Sequence, residues 1–165
     1  MLKENGFALE RKPFAVGVRI EHLQKDINKA LYGDFCDNEN LGAADYKLAT
    51  HLKNGRGVFT FCMCPGGEVI NASSESGHFA INGMSERKRD KENANSAVLV
   101  GVNPEDFESD DVLAGVYFQR DIEKKAYTVT GGNIPVTTVG EFVFGKKAQI
   151  KKVKPSIRFR TDFAD

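Results

Sequence analysis

The chain has 165 residues, 41% of them hydrophobic and 28% charged, which is enough apolar sequence for one self-supporting domain and excludes a disordered polymer. Lys plus Arg (23) balances Asp plus Glu (23), so no overall field selects nucleic acid or an anionic membrane as a partner. No apolar run reaches the ~20 residues of a membrane-spanning helix, the opening MLKENGFALERK has no apolar signal core, and three cysteines do not make an even disulfide set, which together point to a soluble, cytoplasmic protein.

In chain order, Met1 to Asn5 reads as the end of a helix stopped by Gly6, as if the sequence began inside a longer protein. Phe14 to Glu21 alternates in the strand sense. Leu23, Ile27 and Leu31 then fall four apart, which predicts a short amphipathic helix ending at Gly33, followed by a polar loop over Asp34 to Ala44. Tyr46, Leu48, Thr50 and Leu52 alternate with polar or small residues directly ahead of Asn54-Gly55, a pair that supplies the positive φ angles of a tight hairpin. Val58 to Cys64 is the return strand. Pro65-Gly66-Gly67 reads as a turn into a third strand over Glu68 to Ser74, so that the whole forms an antiparallel meander. Glu75 to Asn95 reads as a long exposed loop with one short strand at His78 to Ile81, and Ser96 to Val102 is a continuous apolar run of buried-strand length. Ser109, with Asp110 and Asp111 behind it, predicts the start of the longest helix, over 109–128. Gly131-Gly132-Asn133 ends it, a shorter helix follows over Thr137 to Phe144, and the sequence from Lys146 onward is basic and irregular. The expected fold is α+β, a small antiparallel sheet or partly closed β-barrel of about five strands with two or three packed helices.

Chemistry-bearing residues concentrate after the hairpin. Cys62 and Cys64 are two apart on a strand, where side chains share a face, so their thiols form either a redox pair or two small core residues. Metal is not indicated, because a structural zinc site takes about four ligands and Cys36 with His22, His51 or His78 has no ligand spacing. Pro65, Gly66 and Gly67, together with Glu75 in its Ser-Glu-Ser-Gly segment and Asn93 and Asn95 ahead of the buried strand, are candidate cofactor-binding positions. Small residues there let backbone amides approach a ligand, although the same residues equally serve as turns and loop bonds. Lys146, Lys147, Lys151, Lys152, Lys154, Arg158 and Arg160 form a basic tail with one interleaved aromatic, Phe159, and no nucleic-acid motif, which reads as a solvated surface. The sequence holds no Gly-x-Gly-x-x-Gly, Gly-x-Ser-x-Gly or phosphate loop.

The segments KPFAVGVRIEH (12–22), LGAADY (41–46), GVFTFCMCPGG (57–67), NGMS (82–85) and NANS (93–96), taken in order, resemble the bacterial NAD(FAD)-utilizing dehydrogenase family of uncharacterised FAD-dependent proteins, with the likeness running over about residues 1–145. The resemblance implies FAD in a longer parent protein and an inserted, substrate-side domain at 1–145, with the tail 146–165 leading back to a flavin domain lying outside this chain. It implies no FAD bound to this piece alone, since the glycine fingerprint that receives the pyrophosphate is absent here. Partners would be the remainder of the parent and an unidentified small-molecule substrate, for which NAD(P)H is one candidate; the resemblance does not fix the electron donor. The other expectation is a non-catalytic insert used for oligomerisation or docking.

Overall fold

A computed structural model describes residues 1–145 and 153–157 of the chain. Strand β1 (Phe14–Leu23) runs into helix α1 (Gln24–Tyr32), and β2 (Ala49–His51) and β3 (Gly57–Cys64) make a hairpin. Strands β4 (Gly67–Asn71) and β5 (Ile81–Ser85) precede the long strand β6 (Asn93–Val102), and helices α2 (Ala114–Val129) and α3 (Val139–Phe144) close the described fold. The main sheet is antiparallel and open, in the order β1-β6-β3-β2, and β4 and β5 pair in a separate two-stranded sheet.

The apolar run of β6 explains its place. It is paired on both edges, with Val98 opposite Val18 of β1 and Thr60 of β3, and a strand buried between neighbours has no solvent face to mark with alternation. Phe14 pairs with Val102, and Val16, two residues on, lies on the same face of the sheet. There they meet Phe107, Ala114 and Phe118 in the core cluster, with the Phe14 and Phe107 rings stacked at 5.6 Å. Helix α2 therefore covers one end of this face. Its Arg120 forks onto both carboxylate oxygens of Glu75 at 3.0 Å, and Tyr127 packs on Phe79, so α2 also fastens the chain between β4 and β5.

Several expectations need correction. Met1–Asn5 makes a single hydrogen-bonded turn rather than a helix. The sheet is the alternative that holds; it is not closed into a barrel. The meander breaks at Pro65-Gly66-Gly67, because β3 pairs with β6 and leaves β4 to β5. The strand expected at His78 to Ile81 lies at Ile81–Ser85, one turn of loop later. Ser109 does not cap α2: its hydroxyl accepts from Asp111 N, Asp111 Oδ1 accepts from Leu113 N, and the helix starts at Ala114 after this folded lead-in. The shorter C-terminal helix forms with Thr138 as its cap, accepting from Glu141 N. The tail is outside the described residues apart from 153–157, and that stretch is not simply solvated: Val69 N donates to Ser156 Oγ, Ser156 Oγ bonds Glu21, and Ile157 is buried.

Arg56, at the far end of the β2–β3 hairpin, holds the segment after β6. Its guanidinium donates to both oxygens of Asp106 at 2.6 and 2.7 Å and to the Gly101 carbonyl at 2.7 Å. The Arg56 bonds, helped by the Asn103 amide, lower the Asp106 pKa from 3.8 to about 2. A carboxyl depressed on folding contributes stability above its unfolded pKa and loses it as pH falls through the folded one. Asp106→Asn is therefore expected to flatten the acid limb of stability between pH 3.8 and about 2, read as urea midpoints against pH; an unchanged acid limb contradicts this contribution.

Candidate functional site

Most of the candidate site residues gather at the Asn93 end of β6, where three polar side chains within four positions would be costly in a core unless each found a partner. Asn93, Asn95 and Ser96 are buried, the last two completely. Asn93 Nδ2 donates to the Lys154 carbonyl at 2.8 Å and to Glu21 Oε1 at 3.2 Å. Asn95 Oδ1 accepts from Arg19 Nη1 at 2.5 Å, while Asn95 Nδ2 is buried with no partner. The same Arg19 nitrogen donates to the Cys62 carbonyl at 3.1 Å, and Nη2 reaches Asn82 Oδ1 at 3.4 Å. A side chain at Gly83 would collide with both Arg19 and Asn95, so glycine at this point of β5 is what lets the small sheet close over the guanidinium.

Strand β3 changes character just beside this knot. Between the pairs Phe61↔Ala97 and Cys64↔Asn95 it takes three steps while β6 takes two, a bulge. Cys62 occupies the extra step at φ 48°, a backbone conformation costing about 1–3 kcal/mol in a residue with a side chain. The bulge brings the two sulfurs to 4.0 Å, with Cys62 exposed and Cys64 buried. Burial first, then the neighbouring Cys62, raises the Cys64 pKa, with the Arg19 charge opposing. Cys36 lies elsewhere, at the end of the turn after α1. Among the described residues no group of three or more His, Cys, Asp or Glu is placed to hold a metal ion.

The glycine turn is built into the interior. Pro65, Gly66 and Gly67 are buried, and the Gly66 amide donates to Gln24 Oε1 at 2.8 Å, so that donor is already engaged. Gln24, the first residue of α1, also donates to the Ala44 carbonyl at 2.9 Å and to Asn28 Oδ1 at 2.7 Å. Gly66 has φ 49°, and a Cβ there would strike the Arg89 carbonyl, so both conformation and space demand glycine. The structure thus gathers Cys62, Cys64, Pro65, Gly66, Gly67, Asn93 and Asn95 at one end of β6. Glu75 is not among them, being held on α2 by Arg120.

The opposite sheet face carries a feature the sequence reading did not assign. Between α1 and the sheet lies an apolar hollow of about 530 Å³, walled by Ile27 and Leu31 of α1 and by Ile20, Val58, Thr60 and Val98 of the sheet. His22 and Tyr46 also line it, joined by a 2.7 Å hydrogen bond between Nε2 and the phenol oxygen. His22 Nδ1 is buried without a partner. Burial lowers the His22 pKa and raises that of Tyr46, the nearby Ser96 hydroxyl working against the latter, so at neutral pH both groups are uncharged. The available signal was His22 itself: two residues after Ile20, it falls on the apolar face of β1.

The sequence matches the family described as "FAD-dependent protein, C-terminal domain-like" over residues 13–165. The chain belongs to that family. An uncharacterised protein of Clostridium beijerinckii (strain ATCC 51743 / NCIMB 8052) is 44% identical over 169 residues, an alignment covering 100% of this chain and 32% of the relative. The chain therefore spans about a third of that relative's length, as a domain of a larger protein does. Family membership associates the domain with a flavoprotein and with FAD in the parent.

Gln24→Ala is expected to lower unfolding free energy by at least about 2 kcal/mol, because it strands a buried amide and a carbonyl together. Chemical denaturation measures it, and a loss under about 0.5 kcal/mol, the size of an ordinary surface change, contradicts the clamp.

Proposed function

We propose that this domain is the substrate-side cover of an FAD-dependent oxidoreductase of the NAD(FAD)-utilizing dehydrogenase type, closing over the flavin and shaping the pocket for a small-molecule substrate. The observation that carries the reading is the apolar hollow of about 530 Å³ with an uncharged His22–Tyr46 pair in its wall. A large apolar concavity with a few convergent polar groups is the usual form of a small-molecule site. Its aliphatic walls fit one side of a planar ring system, and the unpartnered His22 Nδ1 fits a polar atom on that ring or on the substrate. Among the described residues nothing fits a pyrophosphate, which on this reading is held by the remainder of the parent.

When bound, FAD would supply electron transfer. The chain's own contribution is to exclude water and to handle a proton. Ile20, Val58 and Val98 remove solvent, which strengthens every polar contact inside. The Tyr46 hydroxyl, kept protonated by burial, and the neutral His22 imidazole hold a shared proton at the Nε2 contact, in reach of a substrate oxygen entering the hollow.

One observation favours a second reading, a non-catalytic docking or oligomerisation insert. Helix α3 leaves Val139, Phe142, Val143 and Phe144 exposed, Phe144 at 72%, which is an unusual density of uncovered apolar surface for six residues. Hydrogen exchange on the full-length parent, FAD-loaded against FAD-stripped, separates the readings. The covering role predicts protection on loading at Gln24–Tyr32 and around Tyr46 to Thr50, with no low-micromolar FAD binding to this chain alone. Protection confined to α3 removes the covering role and leaves docking.

A further inference from the structure

The hollow leaves the two thiols on the other side of the molecule unused. Residues two apart on a regular strand rise about 6.4–6.8 Å, at the upper limit of the Cα separation a disulfide spans. Here the β3 bulge, with Cys62 at positive φ, leaves the sulfurs 4.0 Å apart. One sulfur faces solvent and the other is covered, with Cys64 Sγ donating to the Cys62 carbonyl at 3.3 Å. That asymmetry separates an attacking thiol from a resolving one.

The surroundings favour this over two inert core cysteines. Arg19 pins the Cys62 carbonyl and so fixes the backbone of the bulge beside the two sulfurs. Directly opposite Cys64 in register stands Asn95, whose Nδ2 is fully buried and unpartnered, a donor held in reserve at the thiol end of the knot. Cys62 is exposed in spite of a strained backbone, and a solvated core-packing residue has no reason to keep that strain.

We propose that Cys62-Met63-Cys64 is a two-electron thiol–disulfide exchange site that reduces low-molecular-weight disulfides. The Cys62 thiolate attacks one sulfur of the incoming disulfide; that S–S bond breaks, and the first half departs as a thiolate that takes a proton from water. Cys64 Sγ gives its proton to solvent and attacks Cys62 Sγ in the mixed disulfide, expelling the second half as a thiolate that takes a proton from solvent. The pair is oxidised by two electrons to the Cys62–Cys64 disulfide and the incoming disulfide is reduced to two thiols. The exchange uses this chain alone and is independent of the flavin reading.

The test equilibrates the purified chain with reduced and oxidised glutathione at graded ratios, quenches with acid, alkylates, and reads the peptides by mass spectrometry. The expected result is an internal Cys62–Cys64 disulfide that forms and is reduced reversibly as the ratio changes, with Cys36 still alkylated. Cys64→Ser is expected to stop at a glutathione adduct on Cys62, and Cys62→Ser to slow reaction at Cys64 at least ~10-fold, since the buried thiol lacks both access and thiolate character. A stable glutathione adduct on Cys62 in the unaltered chain, or no oxidation at ratios that oxidise free dithiols, overturns the proposal. Because the unaltered chain decides this, a variant that fails to fold does not rescue it.

Discussion

The need to satisfy buried polar groups at one end of β6 organises everything around it. Asn93, Asn95 and Ser96 sit in the middle strand of the sheet with no water to solvate them, and an unpaired group there costs about 1–3 kcal/mol. Each therefore recruits a distant segment. Asn93 draws in Lys154 and, with Ser156, Glu21. Asn95 draws the Arg19 guanidinium across the sheet, and Arg19 in turn takes the Cys62 and Asn82 oxygens. The small sheet, the bulge and the stretch around Ser156 are positioned by this one row. Apolar packing at the other end, around Phe14, Phe107 and Phe118, anchors α2 but specifies none of these contacts.

The two faces of the sheet consequently have different characters. One carries α1 and α2 with the apolar hollow between strand and helix, where burial keeps His22 and Tyr46 neutral. The other carries a charged residue, two thiols and the buried amide of Asn95. A domain that occupies about a third of a relative's length and leaves α3 uncovered is consistent with a part that works against a larger body.

What was legible in the sequence was local. Period-two alternation located β1, Asn54-Gly55 located the β2–β3 hairpin, and the four-residue spacing of Leu23, Ile27 and Leu31 located α1, which ends at Gly33. Membership of an FAD-dependent protein family was legible as well, from five separated segments taken in order. Partner choice was not. Whether the strand after Gly67 pairs with β3 or with β5 depends on contacts across the fold, and the PGG turn reads the same in both cases. The start of α2 was obscured because Ser109 and Asp111 spend their side chains on turns that resemble caps. In the site, the nearness of Cys62 and Cys64 was legible, but the bulge that exposes one and buries the other was not, since nothing in the residue types marks Cys62 for positive φ. The His22–Tyr46 pair spans 24 positions and exists only once β1 and the loop before β2 have met.

The most direct test of this account is a double-mutant cycle on Arg19→Met and Asn95→Leu, read by chemical denaturation of the chain. If the polar row on β6 organises the site, the two substitutions interact, with a coupling of about 0.5–3 kcal/mol and with Cys62 alkylation rates altered in both single variants. Additive effects, with the thiol's reactivity unchanged, would contradict it and reduce the row to a set of independent bonds.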